Sequence, residues 1–344
     1  MKDIAERANV SIGTVSRVLN RHDDVDQDLR ERVEGIARKV GYRFSARTQG
    51  VIQTRSRIIG LILLNDFGLS SAHSQLLLGV EEYCSRAGYN LLFSRHHFPK
   101  DSEVSQIEIP SVVQIPGLAD CVILAGCISG NVLHAFEQVG LRYVLLRNHL
   151  LEHDGDSLAG KMVQYDDQGG SQEAVRYLAK LGHKHIWYLG DHTDQGHNNR
   201  FRGYSQAMME LKLEPHAHTI PLSDDEFESG QTAVSYILEQ GWPMTAVLTG
   251  SDGLAFGVRE GLRLHRLEVP RDVSLIGFEY GVRTRASNVT SVSIDMADVG
   301  RHLAKAAILQ IEGKDAEARE VIVSTSLIKR STCRPFRKEE HMVL

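Results

Sequence analysis

No stretch of the 344-residue sequence approaches the roughly 20 unbroken apolar residues that a membrane span requires. The first residues, Met1-Lys2-Asp3-Ile4-Ala5-Glu6-Arg7, lack the apolar segment of a secretory signal. Cysteine is scarce. The four thiols, Cys84, Cys121, Cys127 and Cys333, have neither metal-site spacing nor the density of a disulfide framework, which fits a reducing compartment. There are sixteen histidines, but His96-His97, His183/His185 and His216/His218 lack the i, i+4 spacing with a carboxylate that a zinc catalyst shows. A nucleophile elbow, a Walker loop and a Gly-x-Gly-x-x-Gly turn after the first apolar run are missing as well. The expectation is a soluble cytoplasmic protein that is not an enzyme and holds no metal or cofactor.

What is present is an ordinary globular composition, 42% hydrophobic and 24% charged, at a length that suits two or three domains. Its charge is unevenly spread. Residues 1–58 carry twelve Lys and Arg against eight Asp and Glu, a net of +4, which leaves −9 for the remainder of a chain whose total is −5. From Arg38 to Arg57 there are six basic side chains and no acidic one. A small basic head on an acidic body suggests that only the head meets a polyanion.

The head reads as three short helices. Lys2 to Ala8 places Ile4 and Ala8 on one side. The pattern then breaks at Asn9, a residue that tolerates the left-handed conformation. Ser11 suits the N-cap of a second helix, Ile12 to Asn20, which buries Val15, Val18 and Leu19 and leaves Gly13, Thr14, Ser16 and Arg17 outside. A third begins near Asp26, carries the stripe Leu29, Val33, Ile36, Ala37 and Val40, and stops at Gly41. This is the pattern of a helix-turn-helix module, whose second helix fits a DNA major groove. Periodicity alone fits equally well three helices packed for structural reasons.

The residues themselves go further. Lys2-Asp3-Ile4-Ala5, then Asn9-Val10-Ser11-Ile12-Gly13-Thr14-Val15-Ser16-Arg17-Val18-Leu19-Asn20, then Arg30-Glu31-Arg32-Val33 and Gly41-Tyr42-Arg43 closely resemble the LacI/GalR family of bacterial transcription regulators. The resemblance continues through Gly79-Val80-Glu81-Glu82, Leu181-Gly182-His183-Lys184-His185-Ile186, Arg200-Phe201-Arg202-Gly203-Tyr204, Asp252 to Gly257 and Val269 to Phe278. It implies that Ile12 and Gly13 occupy the main base-reading positions. Ser11, Thr14, Ser16 and Asn20 would be phosphate or groove contacts, Arg17 a base-reading arginine, and Tyr42 a backbone contact. Neither Ile12 nor Gly13 offers a side-chain hydrogen bond, so Arg17 is expected to carry a larger share of direct readout.

Residues 45–57 match the family's hinge helix, which in a dimer forms on DNA and pushes a leucine into the minor groove. Ser45 stands in place of the usual Asn, Phe44 of the Pro and Val51 of the leucine. Gly50 weakens an isolated helix by about 1 kcal/mol relative to alanine. The alternative is a basic tether that never kinks DNA.

In the body, apolar runs alternate with amphipathic helices: Ile58–Leu64, Tyr89–Phe93, Cys121–Leu124, Tyr143–Leu146, His185–Leu189, Ala246–Thr249, Val273–Phe278 and Val321–Val323. Such runs predict parallel sheets covered on both faces, with ligands at the carboxyl ends of the strands. The expected fold is an all-α helix-turn-helix domain (residues 1–44) joined to an α/β body like the periplasmic binding proteins, with two doubly wound parallel-sheet lobes. Lobe 1 is expected over about 58–162 plus 291–321, and lobe 2 over 163–290 plus 322–344. The triplet Gly253, Gly257, Gly261 reads as a small-residue face for helix packing, not a phosphate loop.

For the effector cleft, the resemblance implies Arg200 as the arginine that grips hydroxyls or a carboxylate. Ser251 and Asp252 stand where Asn-Asp is common, and Glu279 where an aspartate is common. Arg147 also replaces an aspartate; it either favours an anionic effector or pairs with Glu279 or another acid. The expected function is a homodimeric repressor that binds pseudo-palindromic operator DNA and responds to a sugar or sugar derivative. Alternatives are an activator or co-repressor-dependent regulator sensing a nucleobase or small acid. A stand-alone solute receptor is the rival from another class, and the basic head argues against it.

Overall fold

A computed structural model describes residues 2–19, 25–39, 55–64, 69–99, 102–140, 142–151, 162–190, 195–220, 225–279, 286–314 and 320–337. The chain divides into two units, Met1–Arg55 and Ser56–Leu344.

The first unit holds helices α1 (Lys2–Ala8), α2 (Ile12–Leu19) and α3 (Gln27–Lys39). Its core is Ile4, Ala5, Ala8, Val15, Val18 and Val33, with Val10, Val25, Leu29 and Ile36 packed against it. Local chemistry sets the boundaries. Asn9 adopts φ 50° in the turn after α1. The Ser11 hydroxyl accepts from Thr14 N at 3.0 Å at the start of α2. The Asp26 carboxylate accepts from Asp28 N and Leu29 N at 3.0 and 3.3 Å at the start of α3. These caps satisfy backbone N–H groups that a helix cannot pair internally.

The second unit starts at Ser56, two residues before the expected boundary. Asp120 is the reason: its carboxylate accepts from Ser56 N and Oγ and from Arg57 N, tying both residues to the body. The first sheet has the order β13-β7-β5-β3-β1-β2, from β1 (Ile58–Leu64), β2 (Asn90–His96), β3 (Cys121–Gly126), β5 (Tyr143–Leu146), β7 (Met162–Tyr165) and β13 (Val321–Val323). The second has the order β14-β12-β11-β10-β8-β9, from β8 (Ile186–Gly190), β9 (His216–Thr219), β10 (Ala246–Thr249), β11 (Ser274–Glu279), β12 (Thr290–Ser293) and β14 (Ser326–Ile328). Short strands β4 (Ile128–Ser129) and β6 (Leu150–Leu151) pair separately. Helices α4 (Ser71–Arg86), α5 (Ser111–Gln114), α6 (Gly130–Val139) and α11 (Met296–Ile311) accompany the first sheet. Helices α7 (Asp167–Lys180), α8 (Gln195–Glu210), α9 (Glu226–Glu239) and α10 (Asp252–Leu264) accompany the second.

The chain crosses between lobes three times, after β7, after β12 and after β13. Each crossing lies two or three residues beyond the expected boundary: β7 belongs to lobe 1, β12 to lobe 2, and β13 to lobe 1. All three leave from carboxyl ends of strands, so those ends face the other lobe. One strand also departs from the expected parallel sheets. β14 runs antiparallel to β12, because the chain comes straight from the carboxyl end of β13 with no helix to return it to the far edge.

Helix pairs cover the sheets at very close range. A Cβ on Gly79 would collide with the Ala297 carbonyl, and one on Gly300 with the Leu76 carbonyl, so α4 and α11 touch backbone to backbone. In α9 and α10 a Cβ at Gly257 would strike the Phe227 carbonyl, and one at Gly261 would come within 3.0 Å of the Gln231 Cα. The glycine triplet does pack a helix face. Burial raises the Cys84 thiol to about 12, so this core cysteine is inert. Among the described residues no helix is long and apolar enough to cross a membrane. Replacing Gly79 with Ala should destabilise the body by about 1–3 kcal/mol through overpacking. An unchanged denaturant midpoint would refute the close contact of α4 with α11.

Candidate functional site

Two surfaces collect the residues singled out by the sequence. The first is α2. Val15 and Val18, both 0% exposed, anchor it to the unit's core. Gly13 and Arg17, one turn apart, are exposed on the outer side, with Thr14 half-buried beside them. The Ser11 and Thr14 hydroxyls lie 2.9 Å apart, so the cap and the first turn share one polar cluster. A Cβ on Gly13 would meet only Ser11 Oγ, at 3.5 Å, an ordinary contact. Packing within the head therefore does not demand glycine there. The side chains of Ile12 and Ser16, and all of Asn20, Tyr42, Ser45 and Val51, lie outside the described residues.

The second surface surrounds Arg200 on α8, where the chain passes from lobe 1 to lobe 2. Arg200 is 1% exposed. Its Nε donates to Asp167 Oδ1 at 2.7 Å, Nη1 donates to the Gly250 carbonyl, and Nη2 lies 3.4 Å from the Tyr165 hydroxyl. The guanidinium stacks over Phe278, 4.4 Å from the ring centroid. Burial alone would lower its pKa; the Asp167 carboxylate outweighs that and holds it above the ordinary arginine value. The other Asp167 oxygen accepts from Asn148 Nδ2 at 2.7 Å. Asn148 in turn clamps the Tyr165 backbone, donating to its carbonyl and accepting from its N–H, both at 2.9 Å. Asn148 and Tyr165 belong to lobe 1 and Asp167 opens α7, so one polar chain spans the crossing.

Ser251 and Asp252 stand next to this chain. β10 ends at Thr249, Gly250 supplies the carbonyl for Arg200, and Ser251 caps α10 by accepting from Leu254 N at 3.2 Å. Asp252 adds a carboxylate to the helix's first turn. The structure thus brings Arg200, Ser251 and Asp252 to one wall. Arg147 is turned elsewhere. Its Nη1 donates to Glu320 at 3.0 Å, an acceptor shared with Gln164 at the sheet edge. Of its two expected alternatives the internal pair is the observed one, with Glu320 in place of Glu279. Glu279 ends β11, and its side chain lies outside the described residues.

Three residues of this wall were not anticipated: Asn148, Asp167 and Glu226. Asp167 directly follows the capping Asp166 of α7, and an acidic pair at a predicted helix start is the signal that was available. Glu226 is the first residue of α9, and its carboxylate lies against Gly253 in the first turn of α10. Burial raises its pKa, while the Ser251 hydroxyl and the Arg200 charge pull it down by less. The paired histidines are used in packing. His183 hydrogen-bonds the Arg334 carbonyl, and His216 stacks on Trp187 at 5.3 Å. Among the described residues no three metal-competent side chains converge. An open hollow of about 490 Å³ along α9 and α10, lined by Phe227, Phe256, Arg259, Glu260, Ala286 and Ser287, includes none of the expected effector contacts.

Residues 1–45 match the model of bacterial regulatory proteins of the lacI family, and residues 175–333 that of the periplasmic binding protein-like domain. The chain is 28% identical to the HTH-type transcriptional repressor CytR of Escherichia coli (strain K12), over 97% of its own length and 96% of that protein's. Among solved structures it resembles the lac repressor dimer bound to operator and the anti-inducer ONPF, with TM-score 0.75 and 22% identity over 96% of this chain and 98% of that one. It also resembles a complex of the transcriptional regulator CelR with cellobiose, with TM-score 0.69 and 22% identity over the same shares. At these identities the two structures attest the fold.

Asp167→Asn should cost about 3–5 kcal/mol in denaturant unfolding, because it leaves the Arg200 charge buried without its counter-ion. Replacing both partners with apolar residues of similar volume should cost less than that. Equal losses would mean that the pair is not what holds this wall.

Proposed function

The chain belongs to the LacI/GalR family of bacterial transcription regulators, and on that premise we propose that it is a repressor whose head binds operator DNA under the control of a small polar effector held by the body. The observation that carries the DNA half is α2: two valines fix one face in the core while Gly13 and Arg17 stand on the other. An arginine there suits bidentate hydrogen bonding to a guanine edge in the major groove. The polar cluster of Ser11 and Thr14 at the helix start suits a phosphate. Glycine costs a helix up to about 1 kcal/mol relative to alanine. With room for a Cβ there, Gly13 is best explained by close approach to something outside the head. Asn20, Tyr42, Ser45 and Val51 complete the proposed DNA surface through the resemblance alone.

For the effector half, the lobes joined by three crossings support a ligand site at the facing strand ends, with Arg200, Ser251 and Asp252 on the lobe-2 wall. Arg200 serves there chiefly by holding the wall together, since its donors are engaged with the fold. CelR is described with cellobiose, and a sugar or sugar derivative is the effector class we assign to this chain by analogy. The lac repressor is described as a dimer on its operator; a two-fold dimer here would read a pseudo-palindromic site.

A duplex selected from random sequence by the purified protein provides the test. Arg17→Ala should lose about 1–3 kcal/mol of affinity for it and relax preference at one base pair per half-site. Gly13→Ala should stabilise the head to heat yet weaken operator binding. If Arg17→Ala keeps the selected preference intact, α2 is not the reading helix.

A further inference from the structure

The wall around Arg200 also bears on the charge of what it admits. The two arginines expected at an effector site are each paired within the fold, Arg200 with Asp167 at 2.7 Å and Arg147 with Glu320 at 3.0 Å. The start of α10, whose N–H groups carry the positive end of the helix dipole, is occupied from within. Ser251 caps it, Asp252 adds one carboxylate, and Glu226 reaches across from α9 to lay its carboxylate over Gly253 in the first turn. That reach depends on Gly253. A Cβ there would run into the Glu226 carboxylate and lie 2.8 Å from the Glu226 Cβ. Asp167 pairs with the buried guanidinium, and two further carboxylates, Glu226 and Asp252, stand at the start of the neighbouring helix.

Resting on the reading that an effector enters at this wall, we propose that Glu226 is a charge filter: it takes the anion-accepting position at the start of α10, so the site admits uncharged, hydroxyl-bearing effectors and excludes phosphorylated or carboxylated ones. Hydroxyl groups can donate to the carboxylates; a second anion would meet them at close range in a partly desolvated place, where a unit-charge repulsion is worth more than in water.

The probes are glucose, glucose 6-phosphate, gluconate and inorganic phosphate, titrated calorimetrically at matched ionic strength into the full-length protein, Glu226→Gln and Glu226→Asp. The isosteric Gln keeps the size and polarity of the side chain beside Gly253, and Asp keeps the charge as a check on folding. The three anions should show no saturable binding to the wild type or to Glu226→Asp. Glu226→Gln should gain at least about tenfold in affinity for one or more of them. Saturable anion binding by the wild type, or anion responses that coincide in wild type and Glu226→Gln, overturns the proposal. The effector reading is scored separately, by release of the protein from its selected operator. If Glu226→Gln gains anions while no neutral sugar ever alters operator binding, the filter stands and the effector reading falls.

Discussion

A guanidinium with almost no exposure is the constraint around which the body is arranged. Arg200 cannot sit where it does without a counter-ion, and the chain supplies Asp167 at the residue where lobe 1 gives way to lobe 2. That carboxylate serves both sides of the crossing, one oxygen holding Arg200 and the other holding Asn148. Asn148 fixes the last residue of β7, and Arg200 fixes the turn after β10. Buried polar networks of this kind are costly when partly broken and specific when complete. A change in lobe arrangement therefore has to carry the network along or exchange it as a unit, which favours discrete states over gradual deformation.

Much of the architecture was legible because it is written in periodicity. The head's stripes, Val15 with Val18 and Leu29 with Val33, name the core residues, and the turn and cap chemistry of Asn9, Ser11 and Asp26 marks the boundaries. In the body, six of the eight strands visible as apolar runs lie inside their sheets, and β2 and β13 sit at an edge. The longer strands that escaped notice carry polar residues. β7 contains Gln164, β9 reads His-Ala-His-Thr, and β12 reads Thr-Ser-Val-Ser. Thr290 and Ser291 are nonetheless fully buried. Thr290 N donates to the Thr332 hydroxyl, its own hydroxyl accepts from Arg330 N, and Ser291 Oγ donates to the Val289 carbonyl. Those partners come from the C-terminal segment and from the chain just before β12. A single sequence does not pair them, and the missed strands displaced the expected lobe boundaries.

The candidate site divides along the same line. Arg200 stood out through its spacing from Gly203 within a recognisable motif. Its partners did not, because Asp167, Asn148 and Glu226 are brought to it by folding and not by spacing. Arg147 shows the converse. Its charge left two readings open, an anionic effector or an internal pair, and Glu320, far away in sequence, supplies the pair. The glycine triplet was readable as packing because small residues every four positions can serve a close helix crossing whatever the partner.

The central claim is that ligand occupancy of the two lobes sets how tightly the head holds DNA. Its most direct test is the affinity for a selected operator duplex, by fluorescence anisotropy, with and without a neutral sugar shown by calorimetry to saturate the body. The account predicts a change of about 5- to 150-fold, the range of a typical allosteric coupling. Identical operator affinity for the free and the fully occupied protein would contradict it.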